Sequence, residues 1–375
     1  MKKETTIAGA GVAGLVAAIN LAKAGFKVVV YEKESEIGGH YQENPQMLPN
    51  WFSKEDVVFE LEKCGIKINW LNKIEEVEIN LGGSRVTIYG NQVPVGYTVL
   101  RGGENSFEKD LARQAQEAGV KIITNSFIDV NSANDIDIIS IGIGKPITVG
   151  YGRVYRGNFN PHKTRVFLGS NHTPTVGYCY FFPHSANKAT VKISRRYEET
   201  DVNLKENFEV FKNSLGEEIQ EENFLYEFGS LRSFGVPQTA KRGQSLLVGE
   251  AAGFQDELFR FGIRYAVISG YLAARAIIDN LDYDALWKKY FLKEFNRTAG
   301  TRKIFEDFKK KNFHALPEKT DIRISIEAFK RLWLSRKLTA LLAVYPLFQK
   351  LIFSKAVVKI CLAILRRFKI VLKNQ

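Results

Sequence analysis

The apolar positions at the start of the chain change period twice. Thr5 to Ala8 reads as a short strand, the residues up to about Ala24 as a helix, and Phe26 to Tyr31 as a second strand, which makes one β-α-β unit. From Asn44 to Arg101 the pattern breaks into a short helix ending near Cys64-Gly65 and several short strands, among them Arg85 to Tyr89, punctuated by Gly82-Gly83 and Gly90-Asn91. Helical spacing returns from Glu104 to Ala118, and Lys121 to Ile123 and Asp137 to Ile141 read as strands that re-enter a parallel sheet. Residues 151 to 196 carry four antiparallel strand patterns, Tyr151 to Gly157, Thr164 to Gly169, Gly177 to Phe182 and Ala189 to Arg196. A helix near Lys205 to Leu215 and a strand near Leu225 to Arg232 follow. Leu246 to Val248 returns to the first sheet, and a long helix from Arg264 to Ile278 carries small residues at Ala266, Gly270, Ala273 and Ala274.

With 375 residues the chain can bury a core divided over two or three domains, and 45% hydrophobic against 25% charged residues marks it as globular. The three cysteines, Cys64, Cys179 and Cys361, stand in no paired spacing and no apolar leader precedes the first strand, so a cytoplasmic setting is expected. The net charge of +12 is unevenly spread: beyond Glu327, the last acidic residue, stand eleven cations and no anion. The body is nearly neutral and the tail is basic.

The turn Gly9-Ala10-Gly11-Val12-Ala13-Gly14 fits G-x-G-x-x-G between a strand and a helix. In that setting Gly9 permits the tight turn, Gly11 lets the backbone approach a pyrophosphate, and Gly14 lets the helix pack closely on the strand. The pyrophosphate would sit at the positive helix N-terminus, and Glu32, closing the second strand, would accept hydrogen bonds from the adenosine ribose. Strand, glycines, helix, second strand and terminal acid agree, which favours dinucleotide binding over a plain structural turn. The run from Glu32 to Gly38-Gly39 resembles the extended Glu-x-x-x-x-x-Gly-Gly of FAD-binding proteins of the glutathione-reductase-like superfamily. Residues 246 to 253, ending Val-Gly-Glu-Ala-Ala-Gly, resemble the late Gly-Asp-Ala-Ala-Gly motif, with Glu250 where the family has Asp. FAD is therefore the expected cofactor.

With both motifs in place, most of residues 1 to 280 resembles the geranylgeranyl reductase family, a branch of the flavin hydroxylase-like fold that reduces isoprenoid double bonds. Leu100-Arg101 followed by Phe107 and Leu111-Ala112 resembles its Arg-x-x-Phe-Asp helix, Tyr178-Cys179-Tyr180-Phe181-Phe182-Pro183 its Tyr-x-Trp-x-Phe-Pro strand, and Arg264-Tyr265-Ala266 with Ser269-Gly270 and Ala273-Ala274 its last helix. The resemblance implies an α/β fold: a Rossmann-type FAD-binding domain from residues 1–45, 100–150 and 241–285, an inserted antiparallel-sheet substrate domain from 46–99 and 151–240, and a helical C-terminal region from 286–375. It implies cofactor contacts at Gly9, Gly11, Ala13, Gly14, Glu32, Lys33, Gly39, Arg101, Gly249, Glu250, Gly262 and Ile263.

The chain also departs from that family. The cysteine that members often carry after the first β-α-β unit is missing from residues 38 to 50. Gly142-Ile143-Gly144 stands where NADPH-dependent hydroxylases have Asp-Gly, which argues against a nicotinamide-gated monooxygenase. Only Gly262 survives of the glycines before the last helix, where Phe259 and Phe261 make a bulkier, aromatic flavin face.

Tyr178, Tyr180 and Phe182 share one strand face and would wall either an apolar tunnel for a prenyl chain or an ordinary sheet core. No side chain identifies itself as the catalytic acid; His40 is nearest by chain position, although a packed histidine explains it as well. His162, His172, His184 and His314 show no metal-ligand spacing, so no metal is expected.

On a helix from Lys355 to Lys373, Lys355, Lys359, Arg366, Lys369 and Lys373 fall within about 80° of one another, opposite an apolar face. That pattern fits peripheral contact with an anionic membrane better than nucleic acid. The expectation is a membrane-associated FAD-dependent oxidoreductase that reduces C=C bonds of a polyprenyl lipid, fed by an external electron donor. A flavin-dependent hydroxylase or dehydrogenase, a carotenoid cyclase-like enzyme and a non-catalytic prenyl-lipid carrier are the alternatives.

Overall fold

The structure is a computed structural model that describes residues 4–81, 84–130, 135–142, 144–168, 177–200, 203–310, 320–335 and 371–374. The chain opens with β1 (Glu4–Ala8), α1 (Val12–Lys23) and β2 (Lys27–Tyr31). It then leaves this unit through β3 (Asn44–Pro49), α2 (Val57–Glu62), β4 (Asn72–Ile74), β5 (Glu76–Leu81), β6 (Ser84–Tyr89) and β7 (Gly96–Arg101). It returns with α3 (Phe107–Glu117), β8 (Lys121–Ile123) and β9 (Ile138–Ile139). A second excursion contains β10 (Thr148–Arg156), β11 (Lys163–Leu168), β12 (Tyr178–Ser185), β13 (Lys188–Arg196), α4 (Leu204–Ser214) and β14 (Phe224–Arg232). The hairpin β15 (Lys241–Arg242) and β16 (Ser245–Leu247) rejoins the first sheet, followed by α5 (Ile263–Ile278), α6 (Tyr283–Lys310), β17 (Thr320–Ser325), α7 (Ile326–Trp333) and β18 (Val371–Asn374).

The first sheet runs β15-β16-β9-β1-β2-β8 and is parallel from β16 to β8, so three separated stretches of sequence build one nucleotide-binding sheet. Apolar residues surround α1 on all sides because it is covered on all sides; nine of its residues are buried. Two glycines set how closely its neighbours approach. A Cβ on Gly14 would lie 2.3 Å from the Gly9 carbonyl oxygen, and one on Gly270 of α5 would lie 2.2 Å from the Ala13 carbonyl oxygen. Any larger residue at 270 would therefore push α5 away from the glycine turn.

The second sheet runs β14-β10-β13-β12-β11-β5-β6-β17-β18 and lies across the cofactor-side unit. The four strands expected from residues 151 to 196 sit side by side within it, but the sheet is larger than the pattern predicts. Residues 76–89 and 320–325 extend it by parallel pairing of β5 with β11 and of β17 with β6. The region from 286 onward is thus not purely helical: α6 is a long helix, but β17 joins the substrate-side sheet. Most of the expected basic helix over 355–373 lies outside the described residues. Its last residues do not continue a helix; Val371–Asn374 pair antiparallel with β17, whose outer edge offers backbone groups that a strand satisfies. Among the described residues no helix is long and apolar enough to cross a membrane.

Candidate cofactor and substrate cavity

A cavity of about 630 Å³ lies between the first sheet and the broad face of the second. Gly9, Gly11 and Ala13 of the glycine turn line it, together with Glu32 and Lys33 at the end of β2, Arg101 at the end of β7, and Gly249, Glu250, Gly262 and Ile263. Gly14 and Gly39 are not in its wall. Gly14 lies behind the turn and donates its N–H to Ser140 Oγ at 2.9 Å, and Gly39 closes a short turn onto the Glu36 carbonyl.

The polar geometry of the wall suits a large dinucleotide. Gly11 before α1 and Gly262 before α5 have no side chain to cap their helices, and the N-termini of both helices border one cavity. Glu32 accepts the Ala10 N–H at 2.8 Å and the Glu34 N–H at 3.0 Å, which fixes its carboxylate beside the turn with lone pairs to spare. Glu250 reaches the Ser233 N–H at 3.3 Å and stands beside Gly142, where a Cβ would come 3.5 Å from its carboxylate. Two cavity-lining amides carry buried oxygens without a hydrogen-bond partner, Asn44 Oδ1 and Gln255 Oε1, as a bound polar ligand would require. These features fit FAD.

Arg101 is held by the Glu108 carboxylate, by Gln46 Oε1 at 3.2 Å and over the Tyr41 ring at 4.4 Å. Burial works against its charge, but Glu108 more than offsets this and keeps the guanidinium protonated. His40 also lines the cavity, yet burial and the Arg101 charge push its pKa below the ordinary value, so it is neutral at neutral pH and poorly placed to give up a proton.

Beyond the cradle the wall becomes apolar. Tyr178, Tyr180 and Phe182 all face the cavity, the two tyrosines stacked with centroids 6.2 Å apart, while Cys179 and Phe181 point the other way into a separate core. Opposite them, Trp51 packs edge-on against Phe259 and Phe261 at 5.6 and 5.8 Å. The loop carrying these phenylalanines is pinned by buried Asp256, which accepts N–H groups from Leu258, Phe259 and Phe261. Burial pushes the Asp256 carboxyl up to about 7 despite those bonds.

The sequence reading missed Ser140, Gln255 and Lys192. The last is 8% exposed, lines the same cavity, and is pushed down to about 7 by burial and by the Arg232 and Arg260 charges. In sequence Thr190-Val191-Lys192-Ile193-Ser194 alternates polar and apolar, the usual signature of a strand with one face in water. Here both faces are buried, and the polar one roofs the cavity.

The fold and the cradle define the class: an FAD-dependent oxidoreductase. Residues 7–62 match the model of an NAD(P)-binding Rossmann-like domain. The chain is 24% identical over 380 residues to digeranylgeranylglycerophospholipid reductase 2 of Methanococcoides burtonii, an alignment covering 84% of this chain and 86% of that protein. It superposes with a TM-score of 0.68 on a geranylgeranyl bacteriochlorophyll reductase-like protein from Thermoplasma acidophilum, at 18% identity, over 93% of this chain and 99% of that one. A flavin-dependent halogenase shares the fold with a TM-score of 0.61 at 16% identity, over 83% of this chain and 66% of that one. The resemblance to the geranylgeranyl reductase family is borne out by these relatives.

Proposed function

We propose that the protein reduces C=C bonds of a polyprenyl lipid, with FAD held along the glycine turn and at the α5 N-terminus. One observation carries this: the polar cradle and the aromatic pocket are a single cavity, so an alkene chain along Tyr180, Phe182 and Phe259 would share a compartment with the cofactor. The reductase relatives in sequence support the same substrate class.

In this arrangement Gly11 and the first turn of α1 would take the pyrophosphate, Glu32 the adenosine ribose, Glu250 the ribityl chain, and Gly262-Ile263 the flavin pyrimidine. FAD, when bound, supplies hydride transfer. The chain positions the alkene with broad aromatic faces and keeps water away through Trp51, Phe259 and Phe261. An external donor would supply electrons, and the basic tail would hold the protein at an anionic membrane surface.

The test is incubation of the FAD-loaded protein, reduced under anaerobic conditions, with polyprenyl lipids followed by mass spectrometry. Products heavier by two hydrogens per bond are expected. Unchanged lipid together with an oxygenated product in air would replace the reductase by a hydroxylase.

A further inference from the structure

The sheet face that roofs the cavity is amphipathic. On β5, β11 and β12 it presents Val77, Val166, Tyr180 and Phe182; on β13 and β14 it presents Lys192, Ser194, Ser230 and Arg232. The registers bring the polar residues together: Gly150 lies opposite both Ser194 and Ser230, Thr148 opposite Arg232, and Tyr180 opposite Lys192. The Lys192 stem crosses the bare backbone of Gly150, where a Cβ would lie 2.9 Å from Lys192 Cε and 2.7 Å from Ser230 Oγ. Its ammonium rests 5.9 Å from the Tyr180 ring and 5.6 Å from the Phe228 ring.

Arg260 enters from the opposite wall. Its backbone is left-handed, at φ 63°, an unfavourable region for a long side chain, and the residue is only 8% exposed. The guanidinium lies over the Tyr178 ring at 5.1 Å and donates to Ser194 Oγ at 3.3 Å, while its Nε is buried without a hydrogen-bond partner. The charges acting on Lys192 are both cations, Arg232 and Arg260, and among the described residues no carboxylate pairs with its ammonium. Buried charges are ordinarily paired, because an unpaired one is costly. Here no carboxylate among the described residues offers that pairing, and the cations line a cavity of about 630 Å³.

We propose that Lys192, Arg260 and Arg232, flanked by the Ser194 and Ser230 hydroxyls, form an anion site inside the cavity that receives the phosphate head of an amphiphilic substrate. The chain of that substrate lies along Tyr180, Phe182 and Val77. The isoprenoid nature of the chain rests on the proposed function; the anion site rests on its own geometry. Lys192 and Arg260 are then positioning residues that set which end of the lipid enters and how far.

The experiment measures binding to the full-length, FAD-loaded protein by equilibrium dialysis. The probes are geranylgeranyl phosphate, geranylgeraniol, hexadecyl phosphate and inorganic phosphate. Both lipid phosphates are expected to bind about tenfold or more tightly than the alcohol, as charge-assisted hydrogen bonds to an anion imply. Lys192→Met should remove that preference with geranylgeraniol affinity and flavin content unchanged, and Lys192→Arg should keep it. Equal affinity for phosphate and alcohol in the unaltered protein, or a preference that survives both Lys192→Met and Arg260→Met, overturns the site. Inorganic phosphate binding as tightly as the lipid phosphates overturns the head-group assignment in favour of a free anion. Lys192-dependent binding of hexadecyl phosphate without any reduction of isoprenoids upholds the anion site and sinks the reductase instead.

Discussion

Lys192 is a position where binding and stability oppose one another. Its ammonium is pushed down to about 7 from an ordinary 10.5, so between those values the folded protein binds fewer protons than the unfolded chain. The penalty for burying the charge is complete below about pH 7 and fades as pH rises toward 10.5, so stability rises with pH across that window. Lys192→Met should stabilise the ligand-free protein at about pH 6 by on the order of a few kcal/mol, read as a higher melting temperature, and by much less at about pH 9. Thermal melts of both proteins at the two pH values check this; a variant that melts lower at about pH 6 would contradict it. Glu32 offers a different prediction. Glu32→Ala removes a carboxylate that holds the Ala10 and Glu34 N–H groups and would hold the ribose, so FAD affinity should fall roughly ten- to a hundredfold in a fluorescence titration. Glu32 was legible from its place at the end of β2. Lys192 was not, because polar alternation along a strand cannot tell water from a polar cavity.

The orientation of α5 decides where its N-terminus points. Arg264 in its first turn makes a two-pronged contact with Glu60 of α2, at 2.7 and 2.8 Å, and reaches Glu294 of α6 at 3.0 Å, with the Tyr265 hydroxyl on the same carboxylate. All three ionic side chains are largely buried, so removing one partner strands the others. Arg264→Met should destabilise the protein by about 3–5 kcal/mol in chemical denaturation. Gly270→Val should act on the same helix from its other contact: the new side chain would meet the Ala13 carbonyl, and both the melting temperature and the FAD affinity should drop. The small residues of α5 were visible in sequence as a packing signal. The ion cluster was not, since Glu60, Arg264 and Glu294 are far apart in the chain and share no motif.

At the scale of the molecule, two excursions from one parallel sheet fold over it and enclose the cavity. The glycine turn, Glu250 and the Tyr178 strand announce this architecture because each needs a local pattern: a turn without side chains, an acid at a strand end, alternating aromatics. The size of the second sheet is not local; β17 joins β6 with Asp321 opposite Arg85 and Ser325 opposite Tyr89, and nothing in either segment names its partner. The basic tail makes a separate prediction. Neutralising Lys355, Lys359 and Arg366 to Gln should weaken binding to anionic vesicles by roughly 1 kcal/mol per charge in a sedimentation assay, and unaltered binding would remove the membrane from the account. The central claim, that one cavity serves both cofactor and alkene, has a direct test. The FAD-loaded protein is reduced anaerobically and mixed with a polyprenyl lipid while flavin absorbance is followed. Return of the oxidised spectrum with the unsaturated lipid, and not with its saturated counterpart, is the predicted result; flavin that stays reduced with both would contradict it.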